Sequence, residues 1–269
     1  DLQYMGALRM TDALVKSRNV PAVKALLLAG GEQKLRKYLD QNFSFQINQR
    51  FQDHYFGWTM ALGTTPIKLI DLVNGYATLA TTENREICPI MRMETLSGDK
   101  LPSPCNTVSR SKIADSTSFF VGDMLSDIDA RPESYKWREK LTLENGKNIA
   151  VKTGTSTKQD GYGVLPVDNI VVGYSPKATV FVWAGNADGS SLKPYSVALV
   201  SIGDLWKGVA TKFFEKYPEK HEHFVSKEPL QKIHGEWATL DYAPPSYKPI
   251  SGRLAQFHEW RVNPFVKIR

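Results

Sequence analysis

The sequence predicts an α+β fold in which helices flank an antiparallel sheet and a helical subdomain accompanies it. Three observations predict this. Amphipathic helical stretches recur through the first half and again around residues 205–214. The strand patterns follow helices with no βαβ alternation. A turn at Ser175-Pro176 joins two apolar runs, which is a hairpin signal. With 269 residues, the chain fits one large domain or a domain with an appendage, and can bury a core without a disulfide or metal.

Residues 1–40 read as helices. Thr11 can cap a turn carrying Ala13, Leu14 and Val15, and Ser17-Arg18-Asn19 is a polar break. A second helix has Pro21 in its first turn and Val23, Leu26 and Leu27 as apolar positions, and ends at Gly30-Gly31. Residues 41–62 are mixed and aromatic and show no assignable period. Thr65-Pro66 opens a helix whose Ile67, Ile70, Val73, Ala77 and Ala80 form one buried stripe. Residues 86–106 read as a hairpin turning at Ser97-Gly98-Asp99-Lys100. Ser109 or Ser111 caps the next helix, with Ile113, Phe120, Val121, Met124 and Ile128 on one face. Residues 149–156 form a strand, and 157–168 a polar loop. Ile170 to Tyr174 and Thr179 to Ala184 are two more strands. A helix with Leu205, Trp206, Val209, Phe213 and Phe214 follows. From Pro218 the texture becomes proline-rich and charged, so residues 1–217 read as the domain and 218–269 as a C-terminal extension or tail.

Composition excludes more than it identifies. Lys plus Arg is 34 against 28 for Asp plus Glu, a net charge of +6 and only a mild pull toward anionic surfaces. No run of one charge suggests a nucleic-acid arm. No stretch reaches the roughly 18 apolar residues of a membrane span. The first residue is Asp, without a basic-then-apolar leader, which is uninformative for an internal piece of a longer protein. Cys88 and Cys105 bracket the 86–106 hairpin. The turn at 97–100 pairs residues whose numbers sum to about 197, so the two cysteines are near but not opposite, and either two thiols or a disulfide fits. No spacing suits zinc, and His221-Glu222-His223 reads as a solvated stretch.

Two short polar signatures carry the chemistry. In Lys152-Thr153-Gly154-Thr155, on a strand, Thr153 and Thr155 point one way and Lys152 the other. Two hydroxyls on one face can grip a carboxylate. Gly154 lets a ligand backbone lie along the strand as an added one. The Thr155 N–H can serve as an oxyanion donor, and Lys152 places positive charge where a neighbouring hydroxyl relays a proton. In Ser17-Arg18-Asn19, Ser17 can be that proton shuttle and Asn19 an amide that holds substrate. Alone, each signature is equally well a turn, a cap or an ordinary polar strand.

Their order and flanks are more specific. Ser-x-Asn followed by Lys-Thr-Gly is two-thirds of the motif set of β-lactamases and penicillin-binding proteins. The flanking stretches ALVKSRNVPAVKAL, LGTTPIKLIDLVNGYATLAT, MLSDIDAR, IAVKTGTS and IVVGYSPKATVFVWAGNADG resemble the transpeptidase domain of class A penicillin-binding proteins, from about residue 3 to about residue 217. The resemblance implies a serine β-lactamase/penicillin-binding transpeptidase fold. It implies a peptidoglycan D,D-transpeptidase that cross-links stem peptides through a serine acyl-enzyme and binds penicillin. Ser17, Asn19, Lys152 and Thr155 are the implied catalytic residues, and Thr153, Gly154 and Thr155 the substrate-binding ones. The implied partners are the D-Ala-D-Ala donor, an amine acceptor and β-lactam antibiotics, with no cofactor, metal or nucleic acid. The parent protein is expected at the extracytoplasmic face of the bacterial membrane, anchored there and carrying a glycosyltransferase domain.

The third motif, a serine with a lysine three residues on, belongs before Ser17, and none of the sixteen residues there is a serine. Ser97–Lys100, Ser109–Lys112 and Ser190–Lys193 match by letter only. Ser97 lies in a turn, Ser190 in a polar loop, and Ser109 starts a helix but stands in the wrong order. The expectation is therefore an N-terminally truncated domain whose nucleophile is not in the chain, and a fragment that is inactive alone. Two departures accompany this: the 157–168 loop is long, and Ile170 replaces an aromatic. A β-lactamase is a weaker alternative, because no Glu-x-x-Leu-Asn follows Ser17. A β-lactam-sensing or non-catalytic binding module remains open.

Overall fold

The apolar strands find their burial between two sets of helices. The computed structural model describes residues 6–85, 87–90, 92–102, 108–144, 149–160, 163–227, 229–233 and 236–239. Its central sheet is β3 (Ala150–Asp160), β4 (Gly163–Ser175) and β5 (Ala178–Gly185), antiparallel in that order. In β4 every residue from Val171 to Ser175 is buried, so both faces are covered. One face meets α8 (Ala198–Lys216), where Val151, Val171 and Val180 pack on Ile202, Trp206 and Phe214. The other meets α5 (Leu69–Thr81) and α6 (Asp115–Ser126), where Ala150 and Tyr174 pack on Ala80 and Leu125.

The helical part begins with α1 (Met10–Val15) and α2 (Asn19–Leu28). Next come α3 (Gly31–Phe43), α4 (Ile47–Arg50) and a 3-10 helix, Gly57–Leu62. Phe45, Ile47 and Met60 form its own small core, which organises the aromatic segment that showed no period. β1 (Glu83–Arg85) pairs with β2 (Val108–Arg110), and α7 (Trp137–Lys140) packs against α8. The α+β class with helices on an antiparallel sheet is thus as expected.

Several boundaries differ from expectation, each for a physical reason. Thr11 is buried inside α1 rather than capping it. Helix α5 starts at Leu69, four residues after Thr65, and Ile70 faces solvent while Gly75 and Thr78 join Ala80 against the core. Ser109 caps nothing. It lies on β2 with its hydroxyl donating to Asn84 O, and Ser111 bonds Thr82 O. Helix α6 starts only at Asp115, and Phe119, not Phe120, is its buried ring. On α8, Leu205 and Val209 are exposed, because the sheet takes the Ile202–Trp206–Ala210 stripe instead. The 157–168 segment is not a loop. β3 and β4 continue pairing through it as far as Asp160 and Gly163, across a bulge at Thr155/Thr157.

The β1–β2 register pairs Glu83 with Arg110 and Arg85 with Val108, so paired numbers sum to 193, as do 88 and 105, instead of about 197. Cys88 is disulfide-bonded, and Cys105 lies outside the described residues. Beyond Pro218, Phe224 meets Tyr174 edge-on, and a hairpin of β6 (Leu230–Ile233) and β7 (Glu236–Thr239) brings Trp237 against Phe119. Residues 240–269 lie outside the described residues. His221 packs on Phe214 and His223, and Glu222 pairs with Lys177 at 3.0 Å.

Candidate active site

Alternation along β3 decides what each residue of the 152–155 signature can reach. Odd-numbered residues share the face that Val151 presents to α8, and even-numbered ones the face that Ala150 presents to α5 and α6. Helix α1 contributes Leu14 to that second cluster, which brings the following turn over Lys152. Lys152 Nζ donates to Ser17 Oγ and, at 2.9 Å, to Thr153 O. The two signatures, 135 residues apart in sequence, therefore meet side chain to side chain.

Ser17 stands in the break between α1 and α2 with φ +52°, a left-handed conformation uncommon for a residue with a Cβ. Its N–H donates to Leu14 O at 3.1 Å and that of Arg18 to Ala13 O at 2.9 Å, which closes α1. Backbone strain of this kind is tolerated where a side chain must be presented in one direction. Burial lowers the Lys152 pKa to about 8. Nearby on α1, bonds from Lys16 and Arg9 hold the Asp12 carboxyl below the usual carboxylate range. Asn19 is exposed at the first residue of α2, and its amide takes no part in the Ser17–Lys152 contact.

On the α8 face the Thr155 hydroxyl is already engaged. It donates to Asn169 Oδ1 at 3.1 Å and accepts the Ala198 N–H at 3.0 Å. Fully buried Asn169 in turn donates to Ser196 O and to Ser201 Oγ. The Thr155 hydroxyl is thus engaged within the fold by β4 and the start of α8. Among the described residues β3 has a strand partner on one side only, so its other edge is open for an added strand. A Cβ built on Gly154 would meet nothing closer than Ile170 Cβ at 3.9 Å. Packing inside the protein does not require the glycine.

Sequence reasoning missed Asn169, Asp168 and Trp183. Ser156 Oγ donates to Asp168 Oδ2 at 2.6 Å, and Trp183 Nε1 to Asp168 Oδ1 at 3.0 Å. Trp183 is the cross-strand partner of Ile170, so an aromatic from the next strand stands beside the position where one was expected. A polar Asp-Asn pair opening an apolar run was the available signal for the first two.

No family model matches the chain. Over 203 residues it is 25% identical to penicillin-binding protein 1A/1B of Bacillus subtilis, covering 72% of the chain and 21% of that protein. Over 188 residues it is 30% identical to penicillin-binding protein 2D of the same organism, covering 68% of the chain and 25% of that protein. The chain is a relative of the transpeptidase domains of class A penicillin-binding proteins. The fold agrees. PonA1 of Mycobacterium tuberculosis superposes with a TM-score of 0.67 at 19% identity, over 92% of the chain and 65% of that structure. Penicillin-binding protein 3 of M. tuberculosis gives 0.57 at 14% identity, over 83% and 55%. The match thus spans about a fifth to a quarter of the curated relatives' length.

In this transpeptidase-type domain the three letter matches to Ser-x-x-Lys fall away from the Lys152 side chain's partners. Ser97 bonds Asp99 in a turn, Ser109 is on β2, and Ser190 follows the turn at Gly189. None opens a helix. Among the described residues no helix is long and apolar enough to cross a membrane.

Proposed function

We propose that this domain holds the substrate of a peptidoglycan D,D-transpeptidase. Its nucleophilic serine would come from a chain segment outside this sequence. The observation that carries the reading is the Ser17–Lys152 contact across the edge of β3, with a lysine whose pKa of about 8 lies within reach of neutral-pH proton transfer. The relatives' transpeptidase-type fold supports it, as does a solved PonA1 structure in complex with penicillin V.

The donor peptide, ending in D-Ala-D-Ala, lies along the open edge of β3 past Gly154. The attacking serine's Oγ forms a bond to the penultimate carbonyl carbon. The oxyanion takes the Thr155 N–H, and Ser17 with Lys152 passes the serine's proton to the leaving D-Ala amine as the C–N bond breaks. An acceptor amine on a second stem peptide then attacks the acyl carbon, and the serine regains a proton. Asn19, exposed beside Ser17, is placed to hold the donor's backbone, and Thr153 its carboxylate. A β-lactam follows the first half and stops as the acyl-enzyme. The parent protein would act at the outer face of the cytoplasmic membrane, anchored there with a glycosyltransferase domain.

The test is labelling by a fluorescent penicillin. The 269-residue chain stays unlabelled, and a version extended upstream by about half a domain is labelled. Covalent labelling of the short chain at Ser109 or Ser190 would overturn the assignment.

A further inference from the structure

Away from β3, the aromatic segment between α4 and α5 surrounds a cavity of about 380 Å³, a volume in the range of small-molecule sites. The rings of Phe51, His54, Tyr55 and Phe56 and the hydroxyls of Thr59 and Thr64 line it. We propose that this cup binds a neutral pyranose of a glycan strand.

The cup is held open from beneath. Arg36 and Glu32 form a buried ion pair on α3, at 2.7 Å with each side chain 3% exposed. Arg36 donates onward to Phe51 O at 2.8 Å and to His54 O, and Glu32 accepts the N–H groups of Phe56 and Gly57 at 3.1 and 2.5 Å. Four backbone groups of one short surface segment are thus anchored by a single pair of charges. Gly57 turns the chain at φ +64°, and a Cβ there would stand 3.4 Å from the Tyr55 ring, so the turn brings Tyr55 back over it. Yet Tyr55 is 73% exposed. A rigid base under an exposed ring is the arrangement of a preorganised binding site, since an exposed aromatic alone gains nothing from such support.

The chemistry of the lining selects the ligand. No residue of the cup carries a fixed charge. A cation is disfavoured because the Arg36 guanidinium already lies 5.1 Å from the Phe56 ring centroid. An anion is disfavoured because the Arg36 donors are taken by Glu32 and two carbonyls. Phe51 and His54 meet Phe56 edge-on at 5.5 and 4.3 Å, and the Arg36 and Arg50 guanidinium groups lie over Phe56 and Phe51, so the exposed ring of Tyr55 is the one that offers a face to the C–H face of a sugar. Thr59 Oγ1 donates to Phe56 O at 2.7 Å and lies 3.1 Å from Thr64 Oγ1, so the pair keeps acceptor lone pairs for sugar hydroxyls. Helix α2 packs against the 3-10 helix and carries Asn19 at its start, so one helix of about 15 Å joins the cup to the peptide site. That the sugar belongs to the same wall polymer rests on the proposed transpeptidase reading; the saccharide chemistry of the cup does not.

Titration of the 269-residue chain with chitotetraose, followed by heteronuclear NMR, tests this. Saturable shifts are expected in residues 51–64, with affinity reduced about tenfold in Tyr55→Ala and unchanged in Lys152→Ala. Thr64→Val, an isosteric change, should weaken binding without altering the free spectrum elsewhere. Absence of binding, or binding that Tyr55→Ala leaves intact, overturns the proposal. Either result leaves penicillin labelling of the extended protein untouched, so the two readings fail separately.

Discussion

A buried cation and a half-buried one are treated in opposite ways in this molecule. Arg36 has a carboxylate partner, two carbonyl acceptors and a ring face. Lys152 has a serine hydroxyl and one carbonyl, and among the described residues no carboxylate bonds it. Burial opposes ionisation of Glu32, but two backbone N–H groups and Arg36 outweigh it and hold that carboxyl below its usual value. Burial meets no such opposition at Lys152 and brings its pKa down to about 8. A charge neutralised and fully bonded is structural. A charge left under-compensated at a strand edge is available for chemistry, and its cost falls on stability.

Breaking the first arrangement should have the largest effect. Arg36→Ala strands the Glu32 carboxylate and releases Phe51 O and His54 O, and is expected to cost about 3–5 kcal/mol. Urea unfolding of the wild type and variant measures it. Because the Glu32 carboxyl is depressed, its contribution is present above the ordinary carboxylate pKa and is lost as pH falls through the lower folded value. An Arg36→Ala penalty that stays constant through acid would show the pair to be unimportant. Lys152→Met, by contrast, should leave stability at neutral pH unchanged or raised while ending penicillin reactivity in the extended protein.

The same contrast recurs between two glycines of the central sheet. A Cβ on Gly173 would lie 2.2 Å from Trp206 Cζ2 and 2.9 Å from Ile149 Cδ1, both fixed in the core. Gly173→Ala should cost about 1–3 kcal/mol, visible as a lower melting temperature. Gly154→Ala has room and should change stability by less than about 0.5 kcal/mol, yet slow acylation of the extended protein by crowding the ligand strand. Equal melting losses at the two positions would refute the assignment of β3's open edge to substrate.

How much was legible in the sequence follows the same division. The strand signature and the hairpin at Ser175-Pro176 were readable because alternation and turn chemistry are local. The meeting of Ser17 with Lys152 came from motif order and flanking resemblance, not from any periodicity. The 157–168 hairpin was missed because its first strand, Thr157 to Asp160, is polar and its second carries Pro166, which argues against a strand. The Arg36–Glu32 pair was invisible: two charged residues four apart on a helix usually face water, and only the return of residues 51–57 over α3 buries them. Asn169 was missed for a related reason, since its partners lie on the neighbouring strand and on α8.

The pH dependence of stability is the most direct probe of Lys152. Its folded pKa of about 8 lies below the ordinary lysine value of 10.5, so between these the unfolded chain binds more protons than the folded one. Stability therefore rises with pH across that window, and the burial cost of the charge is fully felt only below it. Lys152→Met removes this dependence and leaves every other titrating group in place. The wild type should thus be less stable than Lys152→Met at pH about 7, and the gap should close by pH about 10. Ser17→Ala sharpens the comparison. It removes one acceptor of the ammonium, so it should widen the gap at neutral pH and leave the alkaline end unchanged. A gap that is the same at both pH values would mean that Lys152 is solvated in the folded protein, and the contrast with Arg36 would then rest on pairing alone.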